Sequence, residues 1–204
     1  MPELSDAIKT RRSIRKYLPT PVPQAAVEEV LEAAGLAPSA HNAQPWRFIV
    51  LADDSVKRKL ADVMAEEWAA DLAKDGTTVE TEKRREKTER FANAPVLILA
   101  CLTMEGMQNF ADERRQKCER DLAMQSLGAA IQNLLLTAHA KGLGVCWFSA
   151  PGFCKETVRK ILHIPDTVEP EALFVMGYPA ETPSVPEKKS LGEFCYMDIW
   201  GGKL

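Results

Sequence analysis

Ala37-Pro38-Ser39-Ala40-His41-Asn42-Ala43-Gln44-Pro45-Trp46 lies between a helix-like run and the strand-like run Phe48-Ile49-Val50-Leu51. It packs a hydroxyl, an imidazole and two amides into one turn. Pro38 and Pro45 lack amide donors and fix φ, so both ends of the turn are stiff. A rigid turn rich in amides suits hydrogen bonding to the edge of a heteroaromatic ring that carries donors and acceptors. An ordinary helix-to-strand loop has the same outline, so the rest of the chain must choose between them.

Upstream of the turn, the spacing predicts a short helix over Ser5–Lys9. A second helix starts at Pro23, where Val27, Val30, Leu31 and Ala34 repeat at helical spacing, and stops at Gly35. Downstream, Arg47–Leu51 reads as the first strand. Asp53 or Asp54 caps a helix with Val56, Leu60, Val63, Met64 and Trp68 on one face. Residues 75–92 are highly charged, with signs mixed at three- and four-residue spacing, which predicts a solvated helix face rather than a nucleic-acid patch. Val96–Leu102 is the second strand. Arg114–Lys141 is the longest helical stretch, apolar around much of its circumference and therefore central. Gly142 ends it, Val145–Phe148 makes a third strand, Lys155–Leu162 a helix, and Ala172–Met176 the last strand. The tail 178–204 carries Pro179, Pro183 and Pro186 with little regular pattern, so it needs a surface to dock on, such as another subunit.

The chain has 204 residues, 46% of them hydrophobic and 27% charged, which suits one soluble domain over 1–204. A net charge of −3 gives no general attraction to nucleic acid or anionic membrane. The run Pro95–Leu102 is too short to span a bilayer, and Met1–Asp6 shows no leader pattern. Five cysteines, without a Cys-x-x-Cys pair, point to a reducing cytoplasm rather than a disulfide framework. Three scattered histidines give no zinc-ligand spacing, so no metal is expected.

Arg11, Arg12, Ser13 and Arg15 put three guanidinium groups and a hydroxyl within five residues. Guanidinium grips phosphate through parallel hydrogen bonds, although a basic helix end complementing its own dipole has the same composition. The chain has no G-x-x-x-x-G-K-[ST] loop, no G-x-G-x-x-G after a strand and no G-x-S-x-G elbow. Gly142-Leu143-Gly144 sits between helix and strand, the reverse of the dinucleotide-fold order.

Taken in order, Arg11–Arg15, the turn Pro38–Trp46, Gln132-Asn133-Leu134-Leu135-Leu136 leading to Gly142-Leu143-Gly144, Gly177-Tyr178-Pro179 and Lys188-Lys189 resemble the nitroreductase family of FMN enzymes. The resemblance implies an α+β fold of three layers (α/β/α). A central, mostly antiparallel sheet is flanked by helices, in an obligate homodimer with exchanged C-terminal tails and an interface of about 2,000 Å² or more. It implies that Arg11, Ser13 and Arg15, with Arg12 helping, hold the FMN phosphate and ribityl chain. Pro38, Ser39, Ala40 and Asn42 would reach the same flavin from the other subunit, braced by Gln44 and Trp46. Phe148, Ser149 and Ala150, after Trp147, would lie over the ring near its reactive edge. Lys188 and Lys189 would grip the phosphate, where the family often has Arg. His41 and Trp68 are assigned to the substrate pocket, and 64–92 to a lid over it.

In that reading no side chain is catalytic, because the flavin carries the hydride and the protein positions substrate and tunes the ring. The implied activity is ping-pong transfer from NADH or NADPH to an electron-poor small molecule such as a nitroaromatic or quinone. A non-catalytic flavin sensor or carrier would look the same in sequence. The stretch Cys146–Pro151 and the Glu-rich lid are also similar to flavin domains of deazaflavin-coenzyme synthesis. Two other branches fit less well: 64–92 lacks the lid Tyr of halotyrosine deiodinases, and Ser13 stands where flavin-fragmenting enzymes tend to carry Asp.

Overall fold

The computed structural model describes residues 3–204; Met1 and Pro2, at the head of the segment read for a leader, lie outside it. The helices are α1 (Leu4–Thr10), α2 (Gln24–Gly35), α3 (Asp54–Lys74), α4 (Thr81–Ala92), α5 (Glu113–Ala140) and α6 (Lys155–Leu162). The strands are β1 (Trp46–Leu51), β2 (Val96–Thr103), β3 (Gly144–Phe148) and β4 (Val168–Gly177). They form one antiparallel sheet in the order β1-β2-β4-β3.

The sheet is buried on both faces, which is why β2 reads as an unbroken apolar run rather than an alternating one. Along it, Ile98, Ala100 and Leu102 face α2 and α5 and pack with Val30, Leu127, Ile131, Leu134 and Phe174. Leu97, Leu99 and Cys101 face the other way, onto Leu60, Met64, Phe91 and Val158 of α3, α4 and α6. Three layers follow from that alternation. Helix α5 is about 42 Å long at 1.5 Å per residue, and its buried line runs from Glu119 to Ala138, apolar from Ala123 onward except for Ser126.

Local signals set most boundaries. The Asp53 carboxylate accepts from Ser55 N (2.9 Å) and Val56 N (3.0 Å), capping α3. Gly142, at φ +75°, and Leu143 return their amides to His139 and Ala138 and close α5. Two elements exceed the sequence expectation. Helix α3 runs on to Lys74, and α4 folds back on it through Arg58–Glu89 (2.7 Å) and Arg84–Glu66 (2.9 Å). Strand β4 begins at Val168 rather than Ala172; Pro170, which cannot donate to a ladder, sits at a register shift opposite Ala100 and Cys101.

The start of β4 also holds a charge network. Burial alone would raise the Glu169 carboxyl, but hydrogen bonds from Arg120 and Lys155, both 2.7 Å, outweigh it and hold its pKa down at about 2. A depressed carboxylate contributes stability that is complete above its unfolded value and is lost as pH falls through the folded one. Unfolding free energy is therefore expected to drop between about pH 4.5 and about pH 2. Glu169→Gln should cost about 1 kcal/mol at neutral pH, kept small by solvent screening, and should flatten that acid limb. Urea titrations across the range check this; a variant with the wild-type acid limb would contradict it.

Candidate functional site

The segment Arg11–Leu18 leaves α1 and runs beside the edge strand β3. Ser13 forms a parallel bridge with Val145, the Ile14 amide donates to Val145 O at 3.1 Å, and Tyr17 bridges Pro179. The Glu181 carboxylate accepts the amides of Arg15 (2.5 Å) and Lys16 (3.1 Å), and Tyr17 Oη donates to Ile14 O and Val175 O. Sequence reasoning missed the Glu181 clamp because an acidic residue in a proline-rich tail gives no local signal.

This scaffold presents the predicted basic groups free of acidic partners. Arg47, Arg58, Arg84, Arg85, Arg115, Arg120 and Arg159 each pair with a carboxylate. Among the described residues Arg11, Arg12 and Arg15 do not. Arg12 donates to the carbonyls of Lys9 and Arg11, both at 2.8 Å, and Arg15 reaches Ser13 O at 3.4 Å. His139, near the end of α5, approaches from below. The Thr10 hydroxyl donates to Asp6 O, so it accepts from His139 Nε2 at 2.8 Å. Burial lowers the His139 pKa, and the charges of Arg11 and then Arg12 lower it further.

The turn Pro38–Trp46 is built under strain. Ala40–Asn42 form a 3-10 turn in which His41 and Asn42 have φ of 56° and 53°, and Gln44 follows at 48°. Asn tolerates this region, whereas His and Gln pay about 1 kcal/mol or more each. Ser39 Oγ accepts from Gln44 N at 3.0 Å, the Ala40 amide donates to Ser126 Oγ at 3.1 Å, and Trp46 is buried in the core, so the turn is braced by Ser39, Ser126 and Trp46, with Gln44 taking part through its backbone amide. Pro38 and Asn42 are exposed. His41 Nε2 lies 3.3 Å from the buried Glu119.

The end of β3 separates two cavities. One, of about 480 Å³, lies between α3, α4 and the 148–154 segment; Trp68, Phe148, Ser149 and Ala150 all line it, with Lys87 and Phe153. The other, of about 440 Å³, is lined by Met124, Gly128, Trp147, Ser149, Gly152 and Phe153. The structure thus brings Trp68 together with Phe148, Ser149 and Ala150. His41 is not on that wall. Ser126, which holds the turn, and His139, beside the basic segment, stand about 20 Å apart along α5. Lys188 and Lys189 are exposed in the irregular tail, whose Leu191, Phe194, Ile199 and Trp200 are also exposed.

Comparison with known proteins agrees with this geometry. The description Nitroreductase family matches residues 8–178. A Methanothermobacter thermautotrophicus protein named "Putative NADH dehydrogenase/NAD(P)H nitroreductase" is 32% identical over 185 residues, spanning 89% of this chain and 80% of the relative. A Desulfovibrio desulfuricans protein solved in complex with FMN superposes with a TM-score of 0.73 at 30% identity, covering 98% of each chain. A BluB-like flavoprotein from Clostridium difficile 630 superposes at 0.77 with 26% identity, over 98% of this chain and all of the other. Motif order, the helix-sandwiched antiparallel sheet and a match across most of the sequence lead to one conclusion: the chain belongs to the nitroreductase family.

Proposed function

We propose that this protein is an FMN-dependent oxidoreductase that works as a homodimer, each FMN being enclosed by two chains. The observation that carries it is the donor set at the β3 edge: three guanidinium groups and a hydroxyl that lack acidic partners among the described residues, held rigid by backbone pairing and by Glu181. Such a set fits the dianionic phosphate of FMN. When bound, FMN supplies a two-electron relay from NADH or NADPH to an electron-poor acceptor such as a nitroaromatic or quinone.

The chain's own residues position that relay. Arg11, Ser13 and Arg15 take the phosphate and ribityl hydroxyls, with Arg12 bracing the segment through its carbonyl bonds. Lys188 and Lys189 add charge to the phosphate. The turn Pro38, Ser39, Ala40 and Asn42 is offered outward, strained and preorganised, for the ring edge of the flavin in a second copy. Within one chain its anchor Ser126 stands about 20 Å along α5 from His139 beside the basic segment, which supports completion of the site by a second copy. Phe148, Ser149 and Ala150 lie over the ring near its reactive edge, where the acceptor cavity they line opens beside it, and α3–α4 (64–92) close over that cavity. The exposed apolar tail 178–204 docks on the partner, and the whole chain acts as one domain. Five free cysteines suit a reducing cytoplasm.

The purified protein is expected to be yellow and dimeric, to release FMN on denaturation, and to bleach anaerobically with NADH or NADPH. Colourless protein that ignores added FMN would overturn the cofactor reading. Bound FMN that neither nucleotide bleaches would overturn the reductase and leave a carrier.

A further inference from the structure

We propose that the cavity between α3 and α4 selects a flat aromatic acceptor bearing a carboxylate, with Lys87 and Arg90 as the anion anchor. The inference rests on the oxidoreductase reading only in making that molecule an acceptor; the binding itself stands on the cavity.

Helix α4 carries its own control. Lys83 pairs with Glu80 (3.5 Å), Arg84 with Glu66 (2.9 Å) and Arg85 with Glu82 (2.8 Å). Lys87 and Arg90, one turn apart, have no carboxylate partner among the described residues, and both line the cavity. Each instead lies over an aromatic ring: Lys87 Nζ is 3.4 Å from the centre of Trp68, and the Arg90 guanidinium 5.6 Å from that of Phe148. Burial, and then the charge of Arg90, lowers the Lys87 pKa, so the pair is set against its own charge. The acidic groups on the opposite wall are engaged elsewhere: Glu67 accepts from Thr157, and Asp71 pairs with Lys74 at 2.7 Å. Asp75, at the C-terminal end of α3, is the remaining carboxylate on the lining.

Two cations without carboxylate partners among the described residues, in a cavity also lined by Trp68, Phe148 and Phe153, match one ligand chemistry. The ring lies against the aromatic side chains, and the carboxylate takes hydrogen bonds from the ammonium and the guanidinium. A neutral quinone or nitroarene would fill the cavity and leave the cations where they are. An anionic one relieves their repulsion, and Ser149 and Ala150, which line the same cavity, place it beside the proposed flavin.

The test is calorimetric titration of the protein as purified with benzoate and with benzyl alcohol, the same ring with and without charge. Benzoate is expected to bind about ten-fold tighter, and the preference to fall at least about three-fold in Lys87→Met and in Arg90→Met. It should vanish in the double variant. Arg85→Met removes an equal charge from the outer face of the same helix and should leave the preference alone. Equal binding of the two probes overturns the proposal, as does an equal fall in Arg85→Met. Inorganic phosphate that competes as well as benzoate would mean a bare-anion site and overturns the aromatic part. In turnover with NADH or NADPH, the kcat/KM ratio of 4-nitrobenzoate to 4-nitrobenzyl alcohol should follow the binding preference through the variants. Benzoate binding with the expected variant pattern but no nucleotide oxidation supports this site and removes the reductase reading. Turnover without acid preference does the reverse.

Discussion

Gly144→Val is expected to destabilise the protein by about 2–4 kcal/mol and to abolish FMN retention, whereas Gly142→Ala, two residues away, should cost only about 1 kcal/mol. The two glycines serve different ends. Gly142 needs its freedom of φ, at +75°, to close α5, and nothing lies within 4 Å of where its side chain would point. Gly144 begins β3 where Ile14 crosses it. A Cβ there would stand 2.6 Å from Ile14 Cγ1 and 2.7 Å from Ile14 Cβ, and the latter is no flexible end that can swing aside. Ile14 is buried and its amide is paired to Val145 O, so relief means lifting the segment off the sheet edge. Arg11, Ser13 and Arg15 would move with it. Urea unfolding gives the stability loss, and absorbance of protein after gel filtration gives FMN retention. A Gly144→Val protein that stays yellow would show that the basic segment does not need its seat on β3.

How much of this was legible in the sequence follows from where each signal resides. Short-range signals were readable: a cap at Asp53 or Asp54, of which the fold uses Asp53, the Gly142 stop, and the unbroken apolar run of β2, because each depends on neighbours in the chain. The turn at Pro38–Trp46 was legible as a stiff polar turn. Its left-handed residues His41 and Gln44 were not, since propensity argues against them and only the packing of Ala40 on Ser126 and of Trp46 in the core enforces them. Pro170 concealed the first half of β4, because a bulge that accommodates proline is a property of two strands and not of one. The basic segment was visible as charge, but its want of acidic partners is a fact of the fold. So is the difference between Lys87 with Arg90 and the other cations of α4: in sequence, 83–90 is a single mixed-charge run, yet in the fold Lys83 and Arg85 pair with Glu80 and Glu82 three residues back, Arg84 reaches Glu66 of α3, and Lys87 and Arg90 turn to aromatic rings.

Arg11→Ala is expected to weaken FMN binding by about 1–3 kcal/mol, roughly 5- to 150-fold, while leaving the FMN-free protein within about 0.5 kcal/mol of wild type. The two halves share one cause. Arg11 makes no ion pair with a described residue, so folding loses little without it, and three clustered guanidinium groups repel one another until an anion joins them. The thermal stabilisation conferred by added FMN should therefore shrink in step with affinity. Arg12→Ala should show the opposite balance, a smaller effect on FMN and a larger one on the free protein, because its guanidinium already bonds the Lys9 and Arg11 carbonyls at 2.8 Å. Ser13→Ala should fall between the two in its effect on FMN. His139 supplies a readout that needs no turnover. Burial, then Arg11, then Arg12 hold its pKa down, so removing Arg11 should raise the titration midpoint of its imidazole signal in NMR. Seating a phosphate among these guanidinium groups should raise the midpoint of the wild-type His139 as well, since an anion offsets their charge. Arg11→Ala protein that keeps full FMN affinity, with His139 unmoved by FMN in the wild type, would take the phosphate away from the β3 edge and the proposed site with it.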